Sequence, residues 1–260
     1  VKYSYLQVYN ELWSAEASGV LSECSPLING NHPYFEYGLA IRNRQNGVAP
    51  VVILPDLSAY LILHFLTDGS IRTSLVGPRT TAVFIDRQWR STTYLFRFRT
   101  GSLFALGNIP LTAFTNRSFR AEEVLNWKAG DMNTPGIEWI TSGLWQKVSP
   151  ASSGSHLKKA RLAQAFLDLL TAGVEKLTVE EASRRLGVSN RYLQKVANEQ
   201  LGLSPKEALQ IHRFVTALHH KEQAPEASSA QLACRSGYYD QSHMISSFQR
   251  FLGLSPGNIW

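Results

Sequence analysis

The chain has little of what an enzyme, a secreted domain or a membrane protein needs. Only two cysteines, Cys24 and Cys234, occur in 260 residues, too few for a disulfide scaffold or for a metal cluster built on thiolates. Charged residues make up only 18%, yet 44% of the chain is hydrophobic, a balance that excludes a disordered tail. No run of about 18 apolar residues exists to span a bilayer. The opening residues, VKYSYLQVYNELW, lack the charged start, apolar centre and small-residue cleavage site of a secretory signal. The expectation is a soluble, cytoplasmic protein with no membrane partner. Histidine is scarce in the first half, where His32 and His64 stand in separate segments without HxH or ExxH spacing, a poor ligand supply for a metal. GxSxG, P-loop and dinucleotide-binding glycine patterns are missing too. A protein that is not an enzyme and carries no cofactor is therefore expected.

What is present divides into two parts. From Val51 to about Phe98 short bursts such as VVIL, YLILHFL, TTAVFI and TTYLFRF alternate with Pro55, Asp68-Gly69 and Gly77-Pro78, which is the composition of strands separated by turns. Asp-Gly within TDGS, between two extended runs, predicts an antiparallel hairpin. Apolar spacing in YLQVYNELW and in the stretch after Pro110 predicts short flanking helices. Residues 126–156 read as a linker, with Ile137, Ile140, Leu144 and Val148 on one face of a helix that packs on the first part or makes a dimer contact. After His156 the pattern is helical throughout. The expected class is α+β: residues 1–125 a β-rich regulatory domain, residues 157–260 an all-α domain.

The charge leans the same way. The net formal charge is +6 and the isoelectric point near 9.4; residues 156–260 hold 13 Lys and Arg against 9 Asp and Glu, an excess compatible with a polyanionic partner. Five of the seven histidines lie there as well, so mild acidification is expected to make this part more positive.

The pentapeptide LGLSP is written twice, at Leu201–Pro205 and Leu252–Pro256, 51 positions apart, as a duplicated supersecondary unit would be. Each copy reads as helix, glycine turn, second helix. Ser183 precedes Gly187 and Ser189 starts NRYLQKVANEQL; Ala233 precedes Gly237 and Asp240 starts QSHMISSFQRFL. The offset is 50 before the turn and 51 after it, so the second turn holds one extra residue. Thr178 with Glu181, Ser204 with Glu207 and Ser228 with Gln231 are spaced as capping boxes. Small residues let two helices cross closely and glycine turns the chain sharply, the grammar of helix-turn-helix. The joining helix, Ser204 to about Lys221, is about 27 Å long at about 1.5 Å per residue, close to the roughly 34 Å of one DNA turn.

On these residues, above all GVSNRYLQKVANEQLGLSPKEAL and GYYDQSHMISSFQRFLGLSP, the stretch from about Leu157 to Trp260 resembles the DNA-binding domain of the AraC/XylS family of transcription regulators. The resemblance implies two helix-turn-helix units joined by a long helix, double-stranded DNA as partner, and RNA polymerase as a further one. Carried over by position, Asn190, Arg191, Gln194 and Lys195 of the first recognition helix and Gln241, Ser242, His243 and Ser246 of the second face the groove, reading base edges or holding phosphate. Ser246 stands where the family often has Arg, and Ala197 where it has a bulky aromatic. Thr178, Ser189 and Ser228 are phosphate candidates or plain caps; Arg184 and Arg185 are phosphate candidates or a solvated face. VVILPDLSAYLILHF, SLVGPRT and YLFRFRTGSLFALGNIPLTAFTNRSF resemble a β-rich N-terminal domain found ahead of AraC-type domains, except that Leu57 replaces a usual Gly and Thr100 a usual Pro. In the wider family such a domain binds an effector or makes a homodimer. Here Arg97 and Arg99 share one strand face and, with Arg87 or Arg90, either receive an anion or stay solvated; Tyr60, His64, Trp89 and Tyr94 either line a pocket or fill the core. The rival reading is a helical protein-interaction module with a β-rich ligand-binding domain and no DNA target.

Overall fold

A computed structural model describes residues 22–29, 35–43, 48–66, 68–88, 92–103, 109–125, 154–172 and 177–258. The expected helix in YLQVYNELW, the helical face from Ile137 to Val148, Trp89 and Arg90 lie outside them. The class is α+β, as the composition predicts.

The strands are β1 (Ser22–Asn29), β2 (Phe35–Asn43), β3 (Val48–Ile53), β4 (Tyr60–Phe65), β5 (Ile71–Val76), β6 (Val83–Gln88), β7 (Thr92–Phe98) and β8 (Ser118–Phe119). Six form one sheet in the order β1-β2-β7-β4-β5-β8, and β3 pairs with β6 apart from it; every pairing is antiparallel. Asp68-Gly69 does make the predicted hairpin: β4 and β5 pair from Phe65 opposite Ile71, and Gly69 takes φ +80° in the turn. A short helix α1 (Ala121–Leu125) follows the sheet, and the stretch after Pro110 holds a single 3-10 turn, Leu111–Ala113.

Period-two alternation sorts the central strands. Leu61, Leu63, Phe96 and Phe98 face one core together with Phe35, Leu75, Leu111 and Phe114. Tyr60, His64 and Arg97 face the other way. Because β7 is flanked on both sides, by β2 and β4, Arg97 is not solvated: it is 7% exposed, opposite Tyr37 and Tyr60.

The helical part contains α2 (Gly154–Thr171), α3 (Val179–Arg185), α4 (Asn190–Leu201), α5 (Pro205–Gln223), α6 (Ser229–Arg235) and α7 (Gln241–Leu252). The joining helix α5 runs 19 residues, about 28 Å at about 1.5 Å each. Ser204 and Ser228 form complete capping boxes with Glu207 and Gln231. Thr178 caps α3 through the Glu181 N–H, but the return half of that box is not made, because the Glu181 carboxylate takes Arg184 and Arg185 instead. One core binds the helices, with Phe166, Leu193, Val196, Phe214, Phe248 and Phe251 at its centre.

The two parts are joined by more than chain. Leu54 and Leu57, from the loop between β3 and β4, are buried in the helical core. The Thr115 hydroxyl donates to the Gly202 carbonyl at 2.5 Å, the Thr100 hydroxyl to Gln164 Oε1 at 2.8 Å, and the Ala82 N–H to the Phe251 carbonyl at 2.7 Å. A His156 ring nitrogen lies 3.2 Å from the Gly101 carbonyl.

Candidate nucleic-acid interface

The duplication in the sequence is a duplication in space. α3 and α6 start 50 residues apart, and α4 and α7 start and end 51 apart. In each unit the first helix ends in a glycine of positive φ, Gly187 at +67° and Gly237 at +74°, a conformation that costs a residue with Cβ about 1–2 kcal/mol. The following N–H returns to the small residue of the first helix, Val188 to the Ser183 carbonyl at 3.0 Å and Tyr238 to the Ala233 carbonyl at 2.9 Å. Ser189 then caps α4 through the Tyr192 N–H, and Asp240 caps α7 through the His243 N–H. Both second helices end in a left-handed glycine, Gly202 and Gly253.

The extra residue of the second turn is Tyr239. Its neighbour Tyr238 fills the place of Val188 and is buried, with its hydroxyl donating to Ser247 Oγ at 3.0 Å; burial pushes that phenol up to about 12. Tyr239 itself is 92% exposed, beside the start of α7.

One face of each second helix is buried: Leu193, Val196, Ala197, Gln200 and Leu201 in α4; Met244, Ser247, Phe248, Phe251 and Leu252 in α7. Each member of the second set lies 51 positions after its counterpart. The faces left outside hold the residues expected from the sequence. Asn190, Arg191, Gln194 and Lys195 are all exposed, as are Gln241, Ser242, His243 and Ser246. Gln194 donates to Asn198 at 3.2 Å, Ser246 donates to the Ser242 carbonyl at 3.0 Å, and the His243 ring stands edge-on to Tyr238. Tyr192, 40% exposed and 51 positions before His243, belongs to the same face. Sequence reading passed over Tyr192 and Tyr239, although an aromatic at a polar helical position, and a second tyrosine where one fills the turn, both signal exposure.

The remaining candidates are less open. Thr178, Ser189 and Ser228 are exposed but already accept a backbone N–H at the start of their helices. Arg184 and Arg185 share the Glu181 carboxylate at 2.5 Å each, and their hydrogen bonds hold that carboxyl below its usual range. A phosphate would have to compete with Glu181 for either guanidinium. The histidines depart from expectation: burial, with Arg213 nearby, lowers His212 to about 4, and burial also lowers His220. Mild acidification does not charge His212.

The small-molecule candidates separate. Tyr60 donates to Asp56, and His64 lies 2.9 Å from Thr93 Oγ1, on one face of the sheet; Tyr94, edge-on to Phe65 in the core, lies on the opposite face. They do not form one pocket. Arg97 is paired with Glu36 at 3.3 Å; burial alone opposes its charge, but Tyr60, Asp56, Tyr37 and Glu36 outweigh burial and keep it cationic. Arg97 and Arg99 both line a crevice between sheet and helices. Among the described residues no cluster of His, Cys, Asp and Glu is placed to hold a metal, and no helix is long and apolar enough to cross a membrane.

Residues 182–259 match the family of helix-turn-helix domains. They are an AraC/XylS-type DNA-binding domain. Over 137 residues, half of this chain, the sequence is 28% identical to the HTH-type transcriptional activator RhaS of Citrobacter koseri, and the chain spans about half the length of that relative. ToxT of Vibrio cholerae, solved with an unsaturated fatty acid bound, aligns with 83% of this chain and 96% of its own at 12% identity and a TM-score of 0.38. A second ToxT structure aligns with 82% of this chain and 96% of its own at 11% identity and 0.40. At that distance ToxT says nothing about the ligands of this chain. Within the AraC/XylS-type domain, α4 and α7 are the second helices of the two units.

Proposed function

We propose that this chain is a transcription regulator that binds double-stranded DNA sequence-specifically through both helix-turn-helix units, under control of the β-rich part. The observation that carries this is the repeated face: two capped, glycine-terminated helices with matched buried sets leave polar side chains exposed at matched positions. Arg191 and Lys195 suit guanine or phosphate, Asn190 and Gln194 suit adenine, and the shorter side chains of α7 suit backbone contacts, so discrimination rests mainly on the first unit. The named relative is an activator, which supports an activating role with RNA polymerase as a second partner. Control by the β-rich part is supported by its bonds to the C-terminal ends of both second helices, at Gly202 and Phe251. An effector or a homodimer contact acting there must favour one arrangement by about 1–3 kcal/mol to switch usefully.

Selection of duplexes from a random pool, followed by affinity measured across a salt series, tests the reading. Binding to a preferred sequence with log K falling by about 5 per decade of salt, the slope for roughly six phosphates, is expected. No retention of any duplex at low salt would overturn it and favour a protein-interaction module.

A further inference from the structure

The repeat exposes one substitution that the DNA reading does not use. The residue 51 positions before Phe251 is Gln200. Phe251 is 2% exposed and packs at a tilt against Phe214 with ring centres 5.3 Å apart. Gln200 is 1% exposed, and among the described residues neither its Oε1 nor its Nε2 has a hydrogen-bond partner. An amide buried in that way costs its desolvation without return, and an apolar residue of similar shape would be the more stable choice for folding alone.

Gln200 lines the crevice between sheet and helices, a cavity of about 140 Å³. Opposite it the chain turns through Gly101 at φ +81°, where an added Cβ would lie 2.6 Å from the Ala160 Cβ and 2.9 Å from Gln200 Oε1, so a side chain at this turn would close directly on the amide. The rest of the wall combines leucines, among them Leu57 and Leu103, with a polar relay in which Thr100 donates to Gln164 and Gln164 donates to Asp168 at 3.0 Å. Charges of both signs line it: Arg97, already paired with Glu36, and Arg99 stand with Glu36 and Asp168.

We propose that this crevice binds a small uncharged polar molecule, recognised by Gln200 through a group that both donates and accepts a hydrogen bond, a carboxamide or a hydroxyl. A bare anion there would meet Glu36 and Asp168, and a bare cation would meet the two arginines. A neutral donor-acceptor group satisfies both atoms of Gln200, and the leucines cover its carbon skeleton. The site stands without the regulator reading; its consequence for DNA rests on that reading. Gln200 lies in the last turn of α4, two residues from the Gly202 carbonyl that Thr115 holds, so an occupant touches the helix that carries Arg191.

The test is thermal unfolding of the full chain without DNA, which keeps it separate from the regulator reading. The probes are nicotinamide, lactamide and xylitol at millimolar concentration, with nicotinate and lactate as charged counterparts. At least one uncharged probe is expected to raise the melting temperature, more than its carboxylate does, by selective binding to the folded state. In Gln200→Leu that rise is expected to vanish, while the unliganded melting temperature itself goes up. A flat response to all three uncharged probes, the result if water alone satisfies the amide, overturns the proposal. So does a response that survives in Gln200→Leu, or a fall in the unliganded melting temperature of that variant.

Discussion

The two helix-turn-helix units share a backbone plan, and both touch the β-rich part, but they differ in how tightly they lean on it. The first is docked on the β-rich part: an added Cβ at Gly202 would lie 2.8 Å from the Leu111 carbonyl oxygen, whereas at Gly253, the same cap in the second unit, nothing lies within 4 Å. The interiors differ in the same sense. Ala197 and Gln200 of α4 stand where α7 has Phe248 and Phe251, and the helical core also takes in Leu54 and Leu57 from the loop between β3 and β4. A duplicated fold unit can thus keep its outer face while one copy gives up aromatic filling and gains a tighter contact with a second part of the chain.

Core substitutions strain this comparison hardest. Phe248→Ala should destabilise the chain by about 3–5 kcal/mol, because the ring is fully buried against Phe214 at 4.8 Å. The reverse change at the matched position, Ala197→Phe, should cost about 1–3 kcal/mol by overpacking. Urea unfolding of both variants measures the pair; a neutral Ala197→Phe would mean that the first unit keeps an unfilled slot.

The two glycine caps give the next contrast. Gly253→Ala meets only the left-handed backbone, a cost of about 1–2 kcal/mol, while Gly202→Ala meets that plus the backbone of Leu111. The first should shift the melting temperature modestly. The second should shift it more and also raise proteolysis at the junction, as Thr115 loses its place on the Gly202 carbonyl. Equal shifts would mean that the contact of Gly202 with Leu111 contributes nothing to stability.

On DNA the matched positions are Arg191 and Ser242. Arg191→Ala should lower the preference for the selected duplex over a scrambled one by about 1–3 kcal/mol, with Ser242→Ala costing less. Equal losses on both duplexes for Arg191→Ala would make it a phosphate contact. Tyr239→Ala, at the residue present in only one unit, should leave stability within about 0.5 kcal/mol of wild type.

The smallest effect is on pH. His212 in α5 has its folded pKa depressed to about 4, so the unfolded chain binds the proton more readily between that value and about 6.5. Its neutral form therefore supports the fold fully above about pH 6.5, and that support fades as pH falls toward 4. Urea midpoints at pH 7 and pH 5 should differ in that direction, less so in His212→Gln.

Much of the helical part was readable because its signals are local. Caps, glycine turns and the 50 and 51 offsets depend on a few adjacent residues, and the helix boundaries follow them. Thr178 shows the limit: its spacing promised a reciprocal box, but two arginines on the same helix outcompeted the Thr178 N–H for Glu181. The junction was unreadable because it depends on partners far along the chain. Leu57 and Thr100 look like mere departures from a family pattern in sequence; in space Leu57 is buried in the helical core and Thr100 bonds Gln164. Arg97 was misjudged for the same reason, since alternation along β7 gives its face but not that β2, β4, Glu36 and Asp56 surround it. Gln200 carries no local signal at all except its mismatch with Phe251.

The most direct measurement is the affinity of the full chain for its selected duplex before and after about five base pairs, half a helical turn, are inserted between the two segments it protects. Two units fixed on the rigid α5 helix can no longer reach the same side of that duplex, so affinity should drop to that of a duplex carrying one segment alone. Unchanged affinity would contradict reading by both units at once.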